Sequence, residues 1–310
     1  MNVYLKIARI DHWFKNVFIL LGAVLAVYDY PFLLTWQTLW NVLLVVISMC
    51  LISSSNYIVN EVADAPYDAN HPIKKNRPVP SGDVNLKYAT VEWLLLTFTG
   101  LAGLAVATTL SRPVFACGFL LWLMGGVYNV EPLRTKDIPY LDVLTESINN
   151  PIRLLAGWYA VGMTKLPPIS LVLAYWMIGA FFMAVKRFAE YRRINNPEVA
   201  ACYRNSFASY TEHRLLISIV YYAVAFGILF GMFIMRYRLE LILSVPFIAG
   251  FIGWYIHMGF MNDSPTQYPE RLYKQRGFVL FASMCIIVLL TLLYVDVPLL
   301  YRIFTPTIRV

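Results

Sequence analysis

The sequence predicts an all-α integral membrane protein of about nine spans, and three observations lead there. Hydrophobic residues make up 59% of the 310-residue chain and charged residues 14%, a balance that a water-soluble domain would not sustain. The apolar residues fall in runs long enough to cross a hydrocarbon core of about 30 Å, which takes roughly twenty residues of helix. Those runs are continuous and lack the strict alternation of a membrane barrel, and lipid admits only helices or closed barrels because an unpaired backbone group has no water there.

Taken in order, the first run, 14–32, follows an amphipathic segment in which Arg9, Trp13 and Asn16 share a face with Lys15 alongside. An interfacial anchor accounts for Arg9 and Trp13. Further runs at 39–60, 88–109, 113–130, 142–162, 169–190, 213–235, 240–260 and 276–296 complete the nine. No low-complexity tract or linker divides the chain, so a single membrane domain is expected over 1–310. No signal peptide is expected either, since the first apolar run lacks a small-residue cleavage site.

Cytoplasmic loops carry an excess of Lys and Arg, and the segments before span one and after spans two, four, six and eight are the basic ones. They hold Lys6, Arg9 and Lys15, then Lys74, Lys75, Arg77 and Lys87, Arg134 and Lys136, Arg192, Arg193 and Arg204, and Arg271, Lys274 and Arg276. Arg112, Lys165, Arg236 and Arg238 are the main exceptions. The N-terminus and the loop after span two are therefore expected in the cytoplasm, in a bacterial inner membrane. The net charge of +7 follows from this bias together with phosphate-binding residues, and nucleic-acid binding is not expected. Cys50, Cys117 and Cys285 lie in spans and Cys202 in a loop, without CxxC or histidine pairing, which suits structural thiols.

The most informative stretch is 60–78, a polar island between apolar runs. Asn60, Asp64 and Asp68 recur every four residues, so a continuing helix stacks them on one face a turn apart. Three oxygen ligands of this kind suit magnesium, which fills the rest of its octahedron with water and substrate phosphate. Lys74, Lys75 and Arg77 follow closely and can neutralise phosphate charge. A solvated loop with incidental charges is the plain alternative.

Polar side chains also interrupt the fifth run. Asp142, Glu146, Asn150 and Arg153 are spaced four, four and three, one helical face, with Asn149 beside them. Ionisable groups inside a membrane are expensive and face a cavity or each other; a structural Glu146–Arg153 pair is the alternative. Upstream, Tyr128 and Asn129 end the fourth run and Arg134 and Lys136 follow in a short loop, where positive-inside charge alone is the competing reading. Near the end of the sixth run, Lys186, Arg187, Glu190, Arg192 and Arg193 form a mainly basic cluster in which Lys186 and Glu190 could simply pair.

These features together resemble the UbiA superfamily of intramembrane prenyltransferases over nearly the whole chain. The resemblance rests on the spans, on the asparagine and two aspartates after span two, on Arg77-Pro78 closing that loop with Ser81-Gly82 behind it, and on the Tyr128–Lys136 segment. It implies helices around a central cavity, Mg2+ as cofactor on Asn60, Asp64 and Asp68, and Lys74 and Arg77 as ligands of a substrate diphosphate. Typical prenyl-transferring members carry a second aspartate cluster after span six, where this chain reads Lys186-Arg187-Phe188-Ala189-Glu190-Tyr191-Arg192. That change, with Lys15-Asn16 and the segment from Arg204 to Tyr210, is similar to the branch containing decaprenyl-phosphate phosphoribosyltransferase.

The resemblance implies a polyprenyl lipid and a diphosphate-bearing donor as partners. Asp64, Asp68 and Lys186 are the expected catalytic groups. Lys15, Asn16, Lys74, Arg77, Tyr128, Arg134, Lys136, Glu146, Asn150, Arg153, Arg187 and Glu190 are expected to bind substrate. Transfer of a phosphoribosyl group from phosphoribosyl pyrophosphate to a polyprenyl phosphate is the first reading, prenyl transfer from a diphosphate to an aromatic or other small acceptor the alternative, and a transporter or lipid-binding membrane protein using the acids for ion coupling the third. A phosphate acceptor is already a nucleophile, so His12, His71, His213 and His257 are read as surface or packing residues.

Overall fold

The computed structural model describes residues 2–69, 74–107, 113–267 and 269–304, without the side chains of Lys74 and of residues 269–271. The expected ligand atoms of Lys74, and the residues His71 and Arg112 with the Arg271 side chain, therefore lie outside the described residues. Every regular element among those described is helical. Seven segments are long and apolar enough to cross a membrane: Val3–Asp29, Trp36–Asp68, Leu86–Ala107, Ile169–Ile194, Glu212–Tyr237, Leu239–Gly259 and Arg276–Tyr294. The fourth expected run is a shorter apolar helix, Pro113–Asn129. The protein is an integral membrane protein.

The chain divides into two compact units, residues 1–167 with 201–209, and residues 168–200 with 210–310. The first contains α1 (Val3–Ile7), α2 (Phe18–Asp29), α3 (Trp36–Asp68), α4 (Leu86–Ala107), α5 (Pro113–Asn129), α6 (Leu141–Ser147) and α7 (Asn149–Ala160). A short 3₁₀ stretch, Ile10–Val17, leads into α2. Thr35 caps α3, its hydroxyl accepting from the Thr38 amide at 3.1 Å, which satisfies one of the free amides that open a helix. From there α3 runs 33 residues without a break, about 50 Å. Ile19, Met49, Ile52, Leu104, Leu121 and Trp158 build the core between α2, α3, α4, α5 and α7.

Helices α2 and α7 touch backbone to backbone. A Cβ on Gly22 would stand 1.9 Å from the Leu154 carbonyl oxygen, and one on Gly157 would stand 1.7 Å from that of Ile19. Only hydrogen fits at both crossings, the small-residue packing that lets membrane helices approach closely.

The expected fifth span is interrupted. Residues 142–162 form α6 and α7 with a break at Ile148, where Pro151 lacks an amide proton and its ring crowds the carbonyl four residues back. The break is confined to Ile148, whose own backbone stays helical (φ −62°, ψ −20°), and Asp142 and Arg153 take separate partners on either side of it. Asp142 is wholly buried against Ser206 at 3.4 Å and Arg204 at 3.6 Å, whereas Arg153 bonds Asn16 at 2.8 Å. No Glu146–Arg153 pair forms among the described residues.

The second unit holds α8 (Ile169–Ile194), most of α9 (Pro197–Tyr203), α10 (Glu212–Tyr237), α11 (Val245–Gly259), α12 (Arg276–Tyr294) and α13 (Pro298–Ile303). α8 ends at Asn195 in the left-handed conformation, φ 50°, the usual stop for a helix. Phe182 of α8, Phe251 and Tyr255 of α11 and Phe278 of α12 form an aromatic cluster in this unit, edge-on at Phe182–Phe251 and stacked at Phe251–Phe278. Arg238 ties α10 to the segment before α13 through Asp296 at 2.8 Å.

Candidate active site

Because α3 is longer than a hydrocarbon core of about 30 Å is thick, its last turns have no lipid to satisfy and can be polar. It carries Asn60, Asp64 and Asp68 in one unbroken helix, so the stacking expected from their spacing is present. Asp64 and Asp68 open onto a cleft of the first unit, which Tyr67, Arg134, Lys136, Asp137, Cys202, Tyr203, Arg204 and Asn205 complete.

Each acid in this cleft faces cations. Asp64 Oδ1 accepts from Arg134 Nη2 at 2.9 Å and from Lys136 Nζ. Asp68, 5% exposed, accepts from Arg77 Nη1 at 2.6 Å. Arg134 precedes, and Lys136 lies within, a 3₁₀ turn, Thr135–Asp137, just beyond α5. Arg134 sits at φ 26°, an uncommon backbone for a residue with a Cβ. Its guanidinium holds that position through Asp137 Oδ2 at 2.8 Å, the Asn129 and Ala63 carbonyls at 2.9 and 3.3 Å, and Asp64. It also lies 4.2 Å from the centre of the Tyr67 ring, a cation–π contact.

Lys136 bonds Asn129 Oδ1 as well, at 3.0 Å, and that same oxygen accepts from Asn60 Nδ2. Burial pushes the Lys136 ammonium down to about 8 against the pull of Asp64. Arg134 stays charged: burial works against its cation, and the Asp137 and Asp64 carboxylates outweigh it and raise its pKa. Arg204 backs the cleft, bonding the Tyr128 hydroxyl at 2.8 Å, Ser206 Oγ at 3.1 Å and the Lys136 carbonyl at 3.4 Å.

The donor set suits a hard divalent cation. Asn60 commits its amide nitrogen to Asn129, leaving its oxygen as the ligand-capable atom, and Asp64 Oδ2 makes no bond to a described residue. No three His, Cys, Asp or Glu side chains among the described residues gather closely enough to hold a metal alone. Magnesium here would draw on Asn60, Asp64 and Asp68 and complete its shell from water and phosphate oxygens. The cations now on the two acids are then available to phosphate.

The structure thus brings Asn60, Asp64, Asp68, Arg77, Tyr128, Arg134 and Lys136 into one neighbourhood. Asn16 and Arg153 meet each other elsewhere in the same unit. Lys15 lies 6.0 Å from the centre of the Tyr57 ring, and Glu146 and Asn150 are half-buried on α6 and α7. Lys186, Arg187 and Glu190 cluster in the second unit, where Glu190 accepts from Arg187 at 2.9 Å and Lys186 stands 4.0 Å away. Sequence reasoning gave no site role to Asn129, Asp137 or Arg204. Asn129 showed itself only as a polar residue closing an apolar run; Asp137 pairs with Arg134 three residues away, a local contact that goes unmarked in the sequence, and Arg204 joins the cleft through Tyr128 and Lys136, 76 and 68 residues distant.

The sequence model of the UbiA prenyltransferase family matches residues 16–282. The chain is 30% identical over 218 residues to a decaprenyl-phosphate phosphoribosyltransferase of Corynebacterium glutamicum, covering 68% of this chain and 60% of that protein. It is 30% identical over 216 residues to the protein of the same name from Mycobacterium tuberculosis, covering 68% and 66%. The chain therefore spans less than two thirds of the length of either relative. Among solved structures, a UbiA homolog from Archaeoglobus fulgidus bound to GPP and Mg2+ superposes with a TM-score of 0.70 at 17% identity, over 95% of this chain and 100% of that one. A digeranylgeranylglyceryl phosphate synthase gives 0.60 at 14% identity, over 94% and 96%. These likenesses show a shared fold, and with the family match running through most of the sequence, the chain belongs to the UbiA prenyltransferase family.

Proposed function

We propose that residues 1–310 work as one magnesium-dependent intramembrane transferase that moves a phosphoribosyl group from phosphoribosyl pyrophosphate to a polyprenyl phosphate. Its relatives named decaprenyl-phosphate phosphoribosyltransferase support this reading. The observation that carries it lies in the second unit. Glu190 is the one acid of the segment 186–193 and is held by Arg187, so that segment offers cations where a second metal would need acids. A donor with a 5-phosphate besides its diphosphate, and an acceptor that is itself a phosphate, both call for positive charge.

In the reaction the C1–O bond to diphosphate breaks and an oxygen of the lipid phosphate bonds to C1, while the electron pair of the broken bond leaves on diphosphate. The acceptor is already anionic, so no general base is needed. Arg77, Arg134 and Lys136, gathered at the acids, supply positive charge beside the leaving diphosphate where charge develops. Lys186 and Arg187 are the phosphate-binding cations proposed within the second unit. Bound magnesium supplies Lewis-acid stabilisation of the same leaving charge. Apolar helix walls keep water from the cationic ribosyl centre. The N-terminus and the Asp64 cleft belong to the cytoplasmic side of a bacterial inner membrane, as the loop charges favour.

A second reading is prenyl transfer from a prenyl diphosphate. The Asp64 cleft suits any diphosphate, and the chain is also 24% identical over 181 residues to a protoheme IX farnesyltransferase of Bacillus cytotoxicus. Diphosphate release by purified protein in lipid with magnesium separates the two. Release with phosphoribosyl pyrophosphate plus polyprenyl phosphate, and none with a prenyl diphosphate plus aromatic acceptors, is the expected result; the reverse overturns it.

A further inference from the structure

Arg153 is a charged side chain, 7% exposed, in the middle of a membrane unit, and its partner is a neutral amide. Its Nε donates to Asn16 Oδ1 at 2.8 Å, and among the described residues no carboxylate pairs with it. A guanidinium does not lose its proton in a protein, and a buried charge without a counter-ion is strongly unfavourable unless something else answers it. Asn16, itself 1% exposed, is fully engaged: its Nδ2 donates to Cys50 Sγ at 3.2 Å and to Ser53 Oγ at 3.5 Å. The terminal nitrogens of Arg153 are left to something outside the protein. One turn earlier on α7, Asn149 Oδ1 is shielded from solvent with no partner among the described residues, a second buried group with its bonding capacity unspent.

The position of this pair matters. Ser53 precedes Asn60 by seven residues and Asp64 by eleven on the unbroken helix α3, so it lies on the same face as the acids and about 10 Å from Asn60 along the axis, deeper in the membrane. An in-line displacement needs its nucleophile opposite the leaving group. With diphosphate held at the Asp64 end, a cation at the depth of Ser53 is placed to present the attacking anion from the side away from the leaving group.

We infer that Arg153, oriented by Asn16, binds the phosphate monoester of the lipid acceptor and makes this chain select an anionic acceptor over a neutral one. The inference rests on the phosphoribosyl-transfer reading for its substrate, and it is tested by binding alone. Polyprenyl phosphate and the matching polyprenol are titrated against the purified full chain in detergent, without donor. Wild type is expected to bind the phosphate at least about tenfold more tightly than the alcohol, the least that a charge-assisted hydrogen bond should give. Arg153→Met should erase that difference while leaving alcohol binding, and the affinity for magnesium phosphoribosyl pyrophosphate, within twofold of wild type.

Asn16→Asp is the second variant. It keeps the shape of the network and gives Arg153 an internal counter-ion, so phosphate preference should fall although the arginine remains. Arg153→Lys should retain part of it. A phosphate preference unchanged in both Arg153→Met and Asn16→Asp overturns the inference, and so does a loss confined to the donor, which would assign the arginine to the ribose 5-phosphate. Failure of the functional reading looks different: wild type then prefers polyprenyl phosphate through Arg153 yet releases no diphosphate from phosphoribosyl pyrophosphate.

Discussion

Replacing Lys136 by Met tests the chemistry of the Asp64 cleft most directly. The side chain is 7% exposed, pairs with Asp64 and bonds Asn129 Oδ1 at 3.0 Å, and Met keeps most of its length without the charge. Asp64 retains Arg134 at 2.9 Å, so the carboxylate is not stranded and the fold should hold. What disappears is one charge-assisted contact to the diphosphate. Such bonds contribute about 1.5–3 kcal/mol, which corresponds to a rise in donor KM of roughly 10- to 150-fold.

A pH profile sharpens the test. The free enzyme's Lys136 titrates near 8, and an anion bound beside it raises that value, so binding is strongest below pH 8 and weakens above it. The donor's phosphates are already ionised, with second pKa values near 6, and do not mask the effect. Donor KM should therefore climb by up to about tenfold per pH unit above 8 in wild type, stay flat over the same range in Lys136→Met, and stay low in Lys136→Arg. Diphosphate release in lipid at pH 7, 8 and 9 reads all three. A wild-type donor KM that is flat to pH 9, or a Lys136→Met variant with wild-type KM at pH 7, would refute the reasoning.

Three further outcomes are expected. Asp64→Asn should cut diphosphate release by about a hundredfold or more and shift the magnesium concentration for half-activity upward; altered ion flux with no diphosphate release would instead indicate a transporter. Lys186→Ala should lower kcat/KM for phosphoribosyl pyrophosphate about tenfold or more, the least expected from losing one charge-assisted contact, and Glu190→Ala, which releases Arg187, should also harm this chemistry, whereas a prenyl-transfer chemistry would be little affected by either. Gly157→Ala forces a methyl to within 1.7 Å of the Ile19 carbonyl oxygen and should cost about 1–3 kcal/mol of stability by overpacking, read as a lowered Tm. Gly227→Ala, with no atom within 4 Å, serves as its neutral control.

The sequence made some of this legible because the signals were local. Membrane spans follow from run length, and the stacking of Asn60, Asp64 and Asp68 follows from a spacing that one continuous helix preserves. The four-four-three spacing of the polar residues of 142–153 marked them as special but could not name their partners, which come from other segments. Asp142 meets Arg204 and Arg153 meets Asn16, 62 and 137 residues away in sequence. Arg134 and Lys136 could be read equally well as topological charge, since their partner Asp64 lies 70 and 72 residues away. Arg204 reaches the cleft from a segment grouped with the first unit, although its chain neighbours on both sides belong to the second. Composition carries no trace of such a return.

The uninterrupted course of α3 makes it a ruler as well as a scaffold. Cys50 and Ser53, Asn60 and Asp64 are graduations on one helix, so the separation between the residues that hold Asn16 and the outer acids is set by residue count. Inserting one residue between Ser53 and Asn60 would lengthen that separation by about 1.5 Å and turn one set of graduations by roughly 100° away from the other. Point substitutions along this stretch can be absorbed locally, whereas a change in its length alters every distance at once. Substrates of different size are therefore more readily accommodated by exchanging the side chains at the marks than by moving the marks themselves.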